Sequence, residues 1–181
     1  MRKRIFTIAL LLVAIISTSA IKAQDFEQPI LISSAGQSAD VKLVKMLAQR
    51  QKLEATTVLM AKETDLESVK TLIIVPGFSS KGLGAAGVSQ QEEYDRVEAV
   101  IKKANSMNIP IVLMHVGGNA RRKGQSDAFN TLVADNAKAM IVVKQADEDG
   151  FFTALAEKNN IPLTLIDKIV DAAGPMAELF K

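Results

Sequence analysis

The residues of this 181-residue chain that could do chemistry fall into three clusters and an acidic run. The first is Ser33-Ser34-Ala35-Gly36-Gln37-Ser38, whose hydroxyls and backbone amides are the groups that hold an anion where a helix begins. The second is Gly77-Phe78-Ser79-Ser80-Lys81-Gly82-Leu83-Gly84-Ala85-Ala86-Gly87, which reads as a ligand-covering loop with Lys81 as its charge. It lacks the residue order of a Walker A phosphate loop. The third is His115-Val116-Gly117-Gly118-Asn119-Ala120-Arg121-Arg122-Lys123-Gly124. The forks of Arg121 and Arg122 match a carboxylate or phosphate in bidentate fashion. His115, the sole histidine, is the candidate acid–base. Asp147, Glu148 and Asp149 then give the site an acidic side, with Asp149 as a further candidate ligand contact.

The inventory also excludes. Without cysteine there is no thiol nucleophile, redox pair or cysteine metal site, and one histidine rules out a multi-histidine centre, so no metal is expected. No tryptophan and a single tyrosine leave stacking platforms for sugars or bases nearly absent. A triad of Ser34 or Ser79 with His115 and Asp149 can be assembled on paper. No GxSxG elbow supports it.

The elements that must position these clusters alternate between short β-branched runs and longer amphipathic stretches, the α/β pattern. Strands are expected at Pro29–Ser34, Thr56–Ala61, Thr71–Val75, Ile109–Val116, Ala139–Val143 and Leu163–Ile166. Ser38 is expected to cap a helix running to about Leu53. Ser89-Gln90-Gln91-Glu92 is a capping box, followed by Tyr94, Val97, Ile101 and Ala104 at helical spacing. Further helices fall near Ser126–Asn136, Gly150–Asn159 and Lys168–Leu179. Asn108-Ile109-Pro110 and Asn160-Ile161-Pro162 repeat one helix-to-strand turn.

Nine of the ten glycines lie where strands leave for helices, the carboxyl edge at which parallel sheets bind ligands. The strand order 2-1-3-4-5, with the sixth beside the fifth, sets the three glycine-rich exits side by side. The expected fold is therefore a three-layer α/β/α domain with a flavodoxin-like, doubly wound parallel sheet of five or six strands.

The address lies in the first residues. Arg2, Lys3 and Arg4 precede the uncharged run Ile5–Ile16, and small or polar residues lead to Ala23, the layout of a secretory signal. Cleavage after Ala23, or after Ala20, is expected, leaving one domain over 24–181 in the periplasm or secreted, with no membrane contact after cleavage. The leader carries four basic residues and no acidic ones, so without it the formal net charge changes from +2 to −2. A nucleic-acid partner is thus not expected.

Two resemblances follow. The strings SSAGQSADV, SSKGLGAAG, MHVGGNARR and DGFFTALAEKNNIPLTLI resemble those of a family of exported bacterial proteins of unknown function, across nearly all of the domain. That resemblance implies no activity. The first cluster is similar to the phosphate loop of flavodoxins, which would imply FMN. It departs at Ala35, where a hydroxyl is expected, and only Phe78 is placed to stack on a flavin. The expectation is an extracytoplasmic domain binding a small anionic ligand, a carboxylate or phosphate. A hydrolase or transferase using His115, a flavin or nucleotide module, and a protein-interaction domain are the alternatives.

Overall fold

The computed structural model describes residues 26–180. The signal peptide expected at residues 1–23 lies outside them. A six-stranded, all-parallel sheet runs in the order β2-β1-β3-β4-β5-β6, with helices on both faces. The strands are β1 (Ile30–Ala35), β2 (Ala55–Thr57), β3 (Thr71–Pro76), β4 (Ile111–His115), β5 (Ala139–Val143) and β6 (Leu163–Ile166). This is the doubly wound, flavodoxin-like order that the glycine distribution implies.

The central strands β1, β3, β4 and β5 are buried at every position. Their mainly apolar runs suit a sheet covered on both faces, whereas β6 at the edge leaves Thr164 and Leu165 exposed. The helices are α1 (Val41–Arg50), α2 (Ser80–Ala86), α3 (Gln90–Ser106), α4 (Gln125–Ala134), α5 (Phe151–Asn159) and α6 (Ala173–Leu179). Helix α1 packs beside α6, while α4 packs beside α3 and α5. Phe129 and Phe152 are the largest fully buried side chains, each worth about 3–5 kcal/mol if truncated to alanine.

Several local expectations hold in detail. Ser89 accepts from the Glu92 amide and the Glu92 carboxylate accepts from the Ser89 amide, closing the box at the start of α3. Asn108 and Asn160 adopt positive φ of 56° and 50° before their strands.

Others are corrected. The strand expected at Thr56–Ala61 is only Ala55–Thr57, because the chain turns at Leu59 and Met60, ahead of a short 3-10 helix at Glu63–Leu66. Ser38 does not cap α1, which starts later at Val41; its hydroxyl instead donates to the Asp40 carboxylate at 2.6 Å. The long second loop is largely the helix α2. Ser79 is its N-cap, accepting from the Gly82 amide at 3.1 Å, and left-handed Gly87 ends it.

Register places the exits. β1 and β3 pair over six positions up to Ala35 opposite Pro76, so their chains leave the sheet together. His115 lies opposite Val142, so the β4 and β5 exits also adjoin.

Candidate functional site at the carboxyl rim

At the β1 exit, the Gly36 amide donates to Glu93 Oε1 and the Gln37 side-chain amide to Oε2, both at 2.9 Å. Glu93 reaches there from α3 and is fully buried. Arg96 completes the cluster. It donates to both Glu93 oxygens at 2.8 Å and to the carbonyls of Ser34 and Ala61 at 2.7 and 2.8 Å. The amide that a phosphate would use in this loop therefore already holds a carboxylate of the chain. Ser33 donates to the Leu59 carbonyl, and the Ser34 hydroxyl is buried with no partner.

The β1 and β3 exits are laced together by a bridge between Gln37 and Phe78 and by the Ser79 amide donating to the Gly36 carbonyl. Gly82 shows why the second cluster is rich in glycine. A Cβ there would lie 2.1 Å from the Gln37 carbonyl oxygen, so only glycine lets α2 approach. Gly77 and Gly117 pack against the Arg121 side chain, and Gly118 is buried beside Gln145. Bare backbone is indeed concentrated on this rim, and what approaches it is the chain itself. Ser80 and Lys81 are exposed on α2 and do not line the cleft described below.

The consecutive arginines of the β4 exit reach in opposite directions. Arg121 meets Asp40 at 3.2 Å and donates to the Phe78 carbonyl at 3.0 Å, tying β4 to the β1 and β3 exits. Arg122 turns to the β5 exit. Its Nε lies 2.9 Å from Asp127, its two terminal nitrogens donate to the two Asp149 oxygens at 2.9 Å, and one of them also reaches the Ala146 carbonyl. Its guanidinium stands 4.1 Å from the centre of the Phe151 ring. Burial opposes the charge on Arg122, but its bonds to Asp149 and Asp127 outweigh that and raise its pKa. Asp149 is held down to about 2, first by its bond from Arg122. Burial works to raise Asp127, yet bonds from Arg122 and Asn130 leave it below the ordinary carboxylate value.

His115 is fully buried, with its ring 4.9 Å from that of Phe152. Its Nε2 donates to the Arg121 carbonyl at 3.0 Å, and Asn130 donates to the same oxygen at 3.1 Å. Nδ1 is buried without a partner. Burial lowers the His115 pKa, which keeps the ring neutral. The imidazole thus orders the turn that carries the two arginines.

Between the β4 and β5 exits lies a cleft of about 410 Å³ lined by Asn119, Arg122, Lys123, Glu148 and Asp149. Asp147, two residues before Asp149, accepts from the α5 amides of Phe152 and Thr153 at 2.6 and 3.1 Å. Of the sequence candidates, Arg122 and Asp149 meet at this cleft. Ser33, Ser34, Gly36, Gln37, Ser38, Gly77, Ser79, Gly82 and Arg121 are bound up in the packing of the other exits. Glu93 escaped the sequence reading. Its signal was its place four residues before Val97 and eight before Ile101, a carboxylate on the buried stripe of α3.

Among the described residues, no group of three histidine, cysteine or acidic side chains is placed to hold a metal, and no helix is long and apolar enough to cross a membrane.

No curated protein sequence matches the chain. Solved structures similar to it include AlinE4, a SGNH-hydrolase family esterase, at 14% identity and a TM-score of 0.30, covering 87% of this chain and 85% of that one. A GDSL-like lipase from Bacteroides thetaiotaomicron is similar at 11% identity and a TM-score of 0.35, covering 75% and 66%. A Schiff base forming fructose-1,6-bisphosphate aldolase is similar at 10% identity and a TM-score of 0.32, covering 90% and 96%. Likenesses at this level carry no argument about activity. The model of a domain family of unknown function, DUF6305, matches residues 27–180, and the chain belongs to that family.

Proposed function

We propose that this is an exported domain that binds a small ligand through an anionic group, a carboxylate or phosphate, in the cleft between the β4 and β5 exits. Export rests on the signal layout of residues 1–23. The observation that carries the binding site is the cleft itself: it opens on the carboxyl edge, where doubly wound sheets take their ligands, and its volume suits a small molecule. Lys123 is exposed there and makes no ion pair among the described residues, so it is free to meet a negative charge.

Two cavities of about 450 and 630 Å³ lie elsewhere, both touching Glu67 and Met107. They are lined by exposed side chains such as Lys70, Lys102 and Lys103 and by no arginine. The rim cleft instead contains a guanidinium locked in place, and preorganised polar groups favour binding. Acid–base catalysis by His115 gains no support from a ring sealed inside the core. A flavin phosphate gains none from an amide that already holds Glu93.

The test is thermal unfolding of the purified protein with carboxylates, phosphate monoesters and their neutral analogues. A ligand at about a hundred times its Kd stabilises by about 2.7 kcal/mol. Stabilisation by anionic compounds alone, lost in Lys123→Ala, is the expected result. No response to any anion, or a response untouched by Lys123→Ala, would overturn the reading.

A further inference from the structure

Three anion-holding groups of the rim already grip a carboxylate of the chain: Gly36 holds Glu93, Arg121 holds Asp40, and Arg122 holds Asp127 and Asp149. These carboxylates differ in how far they could be replaced. The side chains of Glu93, Asp40 and Asp127 are 0%, 18% and 23% exposed, whereas that of Asp149 is 51% exposed. Only Asp149 can retreat into water without opening the fold.

We infer that Asp149 occupies the seat of the ligand's anionic group, so that binding is an exchange in which a ligand carboxylate or phosphate replaces the Asp149 carboxylate on the Arg122 fork. The inference rests on the reading above and specifies how its site works.

Arg122 keeps its place without Asp149. Its side chain is 4% exposed, and Asp127, the Ala146 carbonyl and the Phe151 ring hold it from three other directions. The seat therefore persists when its occupant leaves, and an incoming anion finds donors already aimed.

The seat also has a second donor. Asp147 takes the amides of Phe152 and Thr153, while the Phe151 amide points to Asp149 at 3.4 Å. An anion on the Arg122 fork thus also meets the N-terminal end of the nine-residue helix α5.

Charge favours exchange over addition. An anion entering beside Asp149 would face Glu148, Asp149 and Asp127 together. One that replaces Asp149 meets the same field that now stabilises Asp149. The half-exposed Asp149 side chain can leave by turning about its own bonds, while Gly150 stays fixed by its amide on the Asp147 carbonyl and its carbonyl on the Ala154 amide. Two coplanar oxygens satisfy the fork, as those of Asp149 do at 2.9 Å each. Lys123 beside the seat favours a doubly charged phosphate over a single carboxylate.

The experiment titrates the full chain with inorganic phosphate and, separately, with sodium acetate at constant ionic strength, by calorimetry. Wild type is compared with Asp149→Ala and with the near-isosteric Asp149→Asn. Removing a tethered competitor held by an exposed ion pair frees the seat, so both variants bind phosphate about two- to fivefold more tightly than wild type. Phosphate exceeds acetate, and adding Arg122→Gln abolishes the gain. Unchanged or weakened phosphate binding in both folded variants would overturn the inference. If no natural ligand binds wild type but Asp149→Ala gains phosphate, the seat stands and the functional reading falls. If wild type binds a ligand whose affinity drops in Asp149→Ala, the functional reading stands and the exchange is refuted.

Discussion

The carboxylate of Glu93 lies 2.9 Å from the backbone amide of Gly36, joining the middle of a rim loop to a helix 57 residues further along the chain. A loop built to hold an anion does hold one, and that anion is internal. Because the carboxylate is fully buried, it depends on these partners in place of water.

Glu93→Ala leaves Arg96 with an unpaired charge and the Gly36 amide without an acceptor. Breaking such a pair costs about 3–5 kcal/mol. The loss is read from urea unfolding. The double variant Glu93→Leu with Arg96→Met loses less than the sum of the single changes, because no isolated charge remains. A single-variant loss below 1 kcal/mol would show that the carboxylate does little for the rim.

Gly82 and Gly84 share α2 and differ in their neighbours. Gly82→Ala drives a methyl to within 2.1 Å of the Gln37 carbonyl, at a cost of about 1–3 kcal/mol for the forced shift. Gly84→Ala projects into open space in the helix interior and stabilises by about 0.5–1 kcal/mol. Thermal melts of the two variants should move in opposite directions.

Burial lowers the pKa of His115 below its ordinary value of 6.5. Between 6.5 and the folded-state value, the unfolded chain binds a proton that the folded chain does not. Stability therefore falls as pH drops through about 6.5 and stops falling, for this group, below the folded value. His115→Gln removes the titration. Its unfolding free energy is flatter across pH 7 to 5 than that of wild type, even where the variant is less stable throughout. Parallel profiles for the two proteins would contradict the assignment.

Asp127 and Asp149 grip the same arginine from unequal positions. Asp127→Asn weakens a partly buried pair that also accepts from Asn130, and lowers stability by about 1–3 kcal/mol. Asp149→Asn, at a half-exposed position, leaves the unfolding midpoint close to that of wild type. Equal losses would mean that Asp149 is as structural as Asp127.

Much of this architecture could be read from residues a few positions apart. The run Thr71–Val75 announces a doubly covered strand, and Ser89 with Glu92 announces the start of α3. Asn108 and Asn160 mark the ends of helices. Each signal depends on the period of an element or the local bonding of a cap, which the chain carries within a single turn or strand. The glycine count at strand exits even favoured the order of the sheet, because the dinucleotide-binding order 3-2-1-4 would have left the third exit far from the others.

What occupies the rim belongs to another scale. Asp40 meets Arg121 across 81 positions and Asp149 meets Arg122 across 27. Charges so far apart in the chain find each other only once the strand order has set their loops side by side. The amino-acid sequence determined that bare backbone, arginine forks and carboxylates would share one edge. Tertiary packing alone decided which carboxylate fills which seat, because burial separates a fixed partner such as Glu93 from a replaceable one such as Asp149.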